Sequence, residues 1–217
     1  MGIQDRRIRE KEALRQSILD AATQLFVDEG YENVSIRRIA DKIEYAPSTI
    51  YLYFKDKTEL LNTICAEMFD TLTANLQAIH SEAESWPDKL RRGLRLYIEF
   101  GLEHPNHYMI TFCIPAVGRN GYDANQLGQT NEAGLRCFEE LVRVIRDGTV
   151  AGAFKAGDIH VLSETVWLFI HGITSMLIQS KYIPNFPWAD QRLVIDQGLA
   201  MIVESMVQGK NKLYVGP

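Results

Sequence analysis

The residues best suited to chemistry fall in one short stretch, 47–57, which reads PSTIYLYFKDK. Wound as a helix, Ile50 and Phe54 stand four apart and face inward. Thr49, Tyr51, Leu52 and Tyr53 are then left outward or sideways. Aromatic rings on the open side of so short a helix are unfavourable unless they meet a partner. A phenol hydroxyl can donate to a phosphate, and a ring can pack on thymine methyls. Lys57 stands at the start of the next helix, beside free backbone N–H groups and a positive dipole end, a good place for a phosphate.

The flanking sequence supplies elements that could hold these side chains. Helical periodicity runs through the chain and alternating β-branched runs are missing, so the fold class is all-α. A first helix over about 5–28 carries the apolar stripe Leu14, Ile18, Ala22, Leu25 and Phe26, with Gly30 as a left-handed stop. Ser35 is an N-cap for a brief second helix whose inner face is Ile36, Ile39, Ala40 and Ile43. Val34 and Ile39 have the spacing of a hydrophobic staple. A break follows at 44–46. Pro47 then opens a third helix to residue 54, with Tyr45 and Ile50 as a second staple. Asp56 and Glu59 resemble a capping box that opens a fourth helix to about residue 79. Its stripe is Leu61, Ile64, Cys65, Met68, Leu72 and Leu76. Three helices with a tight break between the second and third are the sequence form of a helix-turn-helix. In that motif the third helix presents its first side chains to base edges while the second braces the backbone.

Helices continue beyond residue 86. They are expected at 87–103, from 105 to before Pro115, at 127–148, at 158–181 and at 189–207. A loop is expected at 117–125, a turn at 149–157 and a loose tail after 209. The helix at 158–181 is apolar nearly all round over 166–178, which predicts burial on more than one side. A two-fold partner would provide the second cover.

Composition sets bounds. A chain of 217 residues with 46% hydrophobic and 24% charged side chains is long enough for a sizeable core and excludes wholesale disorder. The net charge of −5 argues alone against nucleic acid, but the charge is uneven. Residues 1–15 hold five basic and three acidic side chains, whereas 61–217 hold 13 basic and 17 acidic. Arg37, Arg38, Lys42, Lys55 and Lys57 add cations around the two short helices. The apolar run 166–178 is too short to span a bilayer, and the charged N-terminus does not resemble a secretory leader. No membrane role is expected, and the scattered Cys65, Cys113 and Cys137 fit reduced thiols in the cytoplasm. His104 and His107 have a ligand-like gap, but Pro105 and missing carboxylate or thiol partners argue against a metal. No phosphate-binding glycine loop and no nucleophile elbow is present, and no nucleophile–base pair can be named. Neither an enzyme nor a cofactor is expected.

The stretch VSIRRIADKIEYAPSTIYLYFKDKTELL resembles the DNA-binding signature of the TetR (tetracycline repressor-like) family of bacterial transcription factors. The likeness is close over residues 12–62 and extends as an all-helical plan over the rest. It rests on GYENVSIRRIA, Thr49-Ile50-Tyr51, Tyr53-Phe54 and Asp56-Lys57 ahead of Leu60. The resemblance implies a DNA-binding domain at 1–57 with a basic arm (Arg6, Arg7, Arg9), a ligand-binding and dimerisation domain at 58–209, and a tail at 210–217. It implies that Ser35 and Arg37 touch the backbone or nearby bases. Ser48, Thr49 and Leu52 would face the major groove, and Tyr51, Tyr53 and Lys57 would hold phosphates. It further implies a homodimer through the last two helices and a small-molecule pocket among helices four to eight. Candidates there are Tyr97, Phe100, His107, Tyr108, Phe112, Phe138 and Trp167. Trp167, His171 and Gly172 are similar to a Trp…His-Gly element of a subset of the family. His171 is then a ligand contact or a pH-sensitive interface group, against the plainer reading of a core histidine. The implied function is a ligand-responsive regulator, a repressor that binds a palindromic operator and is released by an effector. The alternative is a helical small-molecule-binding protein or enzyme that keeps the fold without reading DNA. Two departures stand out. Glu44-Tyr45 replaces the usual glycine turn, at a cost of about 1 kcal/mol. Ala46 stands where a serine cap is common.

Overall fold

The computed structural model describes residues 2–113 and 128–208. The loop expected at 117–125, the tail after 209, the ends expected near Pro115 and Leu127, and the Cys113 side chain lie outside what it describes. Among the described residues the α-helices are α1 (Ile3–Glu29), α2 (Ile36–Lys42), α3 (Pro47–Ile50), α4 (Lys57–His80), α5 (Trp86–Glu103), α6 (Pro105–Tyr108), α7 (Gly128–Val150), α8 (Ile159–Gln179) and α9 (Gln191–Met206), with a π-helical turn over Met109–Cys113 after α6. Among the described residues, β-type pairing amounts to one isolated antiparallel bridge, Phe154 with Val207. The chain divides into two compact units, Met1–Asp70 with His104–Gly134, and Thr71–Glu103 with Leu135–Pro217.

In the first unit, Ile18, Ala22, Leu25 and Phe26 of α1 form a wall. Ile36, Ile39 and Ala40 of α2, Ile50 and Phe54 at α3, and Leu61, Ile64 and Cys65 of α4 pack into the same core. This packing is what permits α2 and α3, since helices of seven and four residues are not stable alone. Each fully buried Ile, Leu or Phe contributes roughly 1.5–3 kcal/mol. The Ser35 hydroxyl accepts from the Arg38 N–H at 3.1 Å and caps α2. Val34 and Ile39 are both buried, as the first staple requires. The Asp56 carboxylate accepts from the Glu59 N–H at 2.8 Å. The Glu59 carboxylate reaches back to the Lys55 N–H, one residue earlier than a reciprocal box would place it. Burial pushes the Cys65 thiol up to about 11, so it stays protonated and inert.

Two local expectations change. The third helix is one turn, Pro47–Ile50, and not a helix to residue 54. The Ile50 carbonyl accepts from both the Tyr53 and Phe54 N–H groups, at 2.9 and 3.0 Å, so the chain tightens into a turn. Phe54 must swing into the core and Asp56 must cap α4, which leaves no room for another helical turn. The second staple does not bury its ring: Tyr45 is 48% exposed and lines a groove along α1 instead. The break between α2 and α3 has Glu44 at φ 61, the left-handed conformation that favours glycine.

In the second unit, α5 packs on α8 and α9 with Leu90, Leu94, Tyr97, Ile98 and Phe100 buried. Asp158 and Asp190 cap α8 and α9, each accepting two backbone N–H groups of the first turn. Gly198 lets α9 approach α8, because a Cβ there would stand 2.7 Å from Ile173. α8 buries Val166, Ile170, Thr174, Leu177 and Ile178 on one face, while Val161, Leu168 and Met176 stay exposed. The burial expected on a second side is therefore not met within one chain. Residues Ile159–Tyr182 are also longer than the run 166–178 suggested. They are long and apolar enough to cross a bilayer, with an 18-residue window of mean hydropathy 1.5 that is a third buried. Cys137, like Cys65, is buried.

Replacing Glu44→Gly should stabilise the protein. It relieves about 1 kcal/mol of left-handed strain, partly offset by the entropy of glycine in the unfolded chain. The expected outcome is a higher urea midpoint at an unchanged denaturant slope. A lower midpoint would mean that the carboxylate makes a compensating contact.

Candidate nucleic-acid interface

α2, the turn and α3 form one edge of the first unit. Tyr51 and Leu52 are 56% and 79% exposed, Ser48 is exposed, and Thr49 is half-buried. Tyr53 is half-buried and packs on the core, with the Lys11 ammonium 6.0 Å from its ring centroid. Ser35 and Arg37 are exposed at the head of α2, and Arg37 has no ion pair among the described residues. The edge thus offers two phenols, three hydroxyls, a guanidinium and an apolar tip. Those groups suit phosphate oxygens and thymine methyls.

Three expected cations are placed otherwise than the sequence suggested. Lys57 is half-buried: its Nζ donates to the Tyr31 carbonyl at 2.6 Å and lies 4.1 Å from the Tyr31 ring centroid. Burial lowers its pKa from the ordinary lysine range. One of its three protons is thereby committed, leaving two. The basic arm is the first turns of α1, with Arg6 paired to Glu10 at 2.7 Å and the Arg9 Nε donating to the Asp5 carbonyl at 3.3 Å. The groove between α1 and the turn, lined by Lys11, Ser17, Tyr45 and Tyr53 among others, was not singled out in the sequence. The three-residue steps from Lys11 to Leu14 to Ser17, on one helical face, are the signal that was available.

The model for bacterial regulatory proteins of the tetR family matches residues 18–64. The model for the tetracyclin repressor-like C-terminal domain matches residues 90–202, more than half of the chain. The chain belongs to the tetR family. It is a helix-turn-helix transcriptional regulator. The HTH-type transcriptional repressor KstR2 of Mycolicibacterium smegmatis is 24% identical over 196 residues, covering 90% of this chain and 92% of that one. An HTH-type transcriptional regulator of Staphylococcus aureus strain MRSA252 is 30% identical over 90 residues. That match covers 42% of this chain and spans about half, 49%, of the relative. Among solved structures, FadR from Bacillus subtilis in complex with stearoyl-CoA aligns with a TM-score of 0.72 at 19% identity, covering 87% of this chain and 97% of that one. The fatty acid degradation regulator FadR from Bacillus halodurans gives 0.73 at 17%, covering 87% and 94%. At these identities the structures show the shared fold.

The remaining candidates in this tetR-family chain fall in both units. In the first, Tyr108 is fully buried with its ring 4.8 Å from Phe112, and His107 is half-buried. The ring of His104 stands edge-on 6.2 Å from His107, and among the described residues no group of three or more His, Cys, Asp or Glu could hold a metal. In the second, Phe138, Trp167 and His171 follow one another at ring distances of 6.1 and 5.6 Å. The Tyr97 hydroxyl lies 3.3 Å from the His171 Nδ1, and Phe100 is buried nearby in sequence on α5.

Burial is the first cause that lowers the pKa of His171, of His107 and of His80. The folded state therefore favours the neutral imidazole. An unfolded histidine titrates near about 6.5, so stability is fully present above that value and declines as pH falls through it toward the lower folded pKa. Urea unfolding at pH 7.5 and 5.5 should show a lower midpoint in acid. His171→Gln should narrow the gap between the two.

Proposed function

We propose that this regulator is a ligand-responsive repressor that binds a palindromic operator in double-stranded DNA as a homodimer and is released by a small-molecule effector. The observation that carries the DNA half is the exposed Tyr51–Leu52 tip on a one-turn helix that its core holds in place. Such a helix presents Ser48, Thr49 and Leu52 to base edges. Tyr51, Tyr53 and Lys57 hold phosphates, with Ser35 and Arg37 on the backbone or neighbouring bases. In this reading residues 1–57 read DNA, and residues 58–209 bind the effector and the second subunit. No catalysis is involved, and the protein works in the cytoplasm beside its DNA.

The exposed apolar side chains of α8 and α9 support the dimer. Leu168 and Met176 on α8 and Leu193 and Met201 on α9 are each between 46% and 66% exposed. A second copy of the same two helices would cover them with a self-complementary surface. The effector has an apolar body that meets aromatic side chains such as Phe138 and Trp167, with His171 and Tyr97 as polar contacts. The similarity to a FadR bound to stearoyl-CoA supports an acyl chain as that body. If the effector fits better when the reading heads are splayed, it shifts the dimer off its operator by that difference in affinity.

A gel shift on sheared host DNA tests the reading. Binding should weaken about a thousandfold or more between roughly 50 and 200 mM salt if six or more phosphates are touched. Tyr51→Phe should weaken binding to all sequences alike, while Thr49→Ala should alter preference at one base step. Absence of any shift would instead favour a helical binding protein that does not read DNA. Leu168→Glu should give a monomer in sedimentation and abolish the shift. A variant that stays dimeric would remove α8 from the interface.

A further inference from the structure

We propose that the groove between α1 and the α2–α3 turn is a seat for the DNA phosphate backbone, with Lys11 and Tyr45 as contacts beside Tyr53. The proposal rests on the DNA-binding reading and extends its interface onto α1.

The groove encloses about 590 Å³ and its walls include Glu10, Lys11, Leu14 and Ser17 of α1 and the rings of Tyr45 and Tyr53. Its chemistry is one ammonium, two phenols and a hydroxyl over a leucine. Those are donors that suit a chain of phosphate oxygens and sugars better than a compact apolar ligand. Lys11 is exposed and has no ion pair among the described residues, so its charge is available. Glu10 is the one carboxylate on the wall. Its Oε1 lies 2.7 Å from the Arg6 Nε, which offsets its repulsion of a phosphate. The walls carry one ammonium and one carboxylate, and because that carboxylate is paired with Arg6 the Lys11 charge is left to meet an anion, with Arg7 and Arg9 also exposed at the same end of α1.

The turn explains why Tyr45 stands there. The Tyr45 N–H donates to the Ala40 carbonyl at 3.0 Å, and Glu44 takes the left-handed φ of 61 just before it. Pro47 then starts α3. Tyr45 lines the groove together with α1 residues and stays 48% exposed. Tyr53 closes the other side, with the Lys11 Nζ 6.0 Å from its ring centroid. A cation beside one phenol and a second phenol across the groove make a polar rim next to the reading helix. A strand whose bases meet α3 would run its phosphates along that rim.

The test uses the full chain and a labelled duplex of random sequence, because backbone contacts do not depend on sequence. Affinity is read by fluorescence anisotropy across a salt series for wild type, Lys11→Met, Lys11→Arg, Tyr45→Phe and Tyr51→Phe. Lys11→Met should weaken binding on the order of tenfold and flatten the log–log salt slope by about 0.9 for each bound copy. Lys11→Arg should restore the slope. Tyr45→Phe should weaken binding about threefold at an unchanged slope, as one lost hydrogen bond does. Thermal melting should be the same for all, since these side chains reach solvent. If Lys11→Met and Tyr45→Phe bind like wild type while Tyr51→Phe is weakened, the groove lies off the interface and the proposal falls with the DNA-binding reading intact. If wild type itself does not bind the duplex, both fall.

Discussion

Two helices of seven and four residues exist here only because α1 and α4 give them an apolar surface to lie on. Isolated segments of that length do not hold a helical turn in water. Ile36, Ile39, Ala40, Ile50 and Phe54 convert that instability into a fixed position, since all are buried in one core with Ile18, Leu25, Phe26 and Ile64. The outward residues inherit the precision of the inward ones. Tyr51 and Leu52 can be exposed without being loose because Ile50 and Phe54, on either side of them, are not.

Between those helices the chain accepts a local penalty. Glu44 occupies a left-handed conformation and Ala46 offers no side-chain cap. Compensation comes from several directions: Pro47 pre-sets the first angle of α3, Ser35 caps α2, and the Tyr45 N–H closes the turn on Ala40. Strain of this kind persists where the surroundings over-determine it. The outcome is a tyrosine, half out of the core, placed beside the basic end of α1.

The second unit shows a different balance. α8 carries more apolar surface than one protomer covers, leaving Val161, Leu168 and Met176 in solvent. An apolar helix can be core, interface or membrane span on composition alone, and its length here passes for any of them. The helix lies within the segment that matches the C-terminal family model, and it packs on α5 and α9 through its buried face. A protein partner is the cover consistent with that packing.

The helices, their order and the caps at Ser35 and Asp56 were legible in the residues, whereas the Asp158 and Asp190 caps were not read from them. Spacing of apolar side chains, Ser35, Asp56 and the prolines act locally, and local rules reach one or two turns along the chain. The contacts expected of Ser35, Thr49, Tyr51 and the other reading residues rest on family resemblance joined to that pattern. Three features needed the folded chain. The third helix stops at Ile50 because Phe54 is drawn into a core made by distant residues. Lys57 turns to Tyr31 because packing brings that carbonyl and ring within reach of its ammonium. Lys11 meets Tyr45 and Tyr53 across a groove because α1 lies against the turn, thirty-odd residues away in sequence. Periodicity tells which face of a helix turns inward. Only the packing of one helix on another decides which side chains become neighbours.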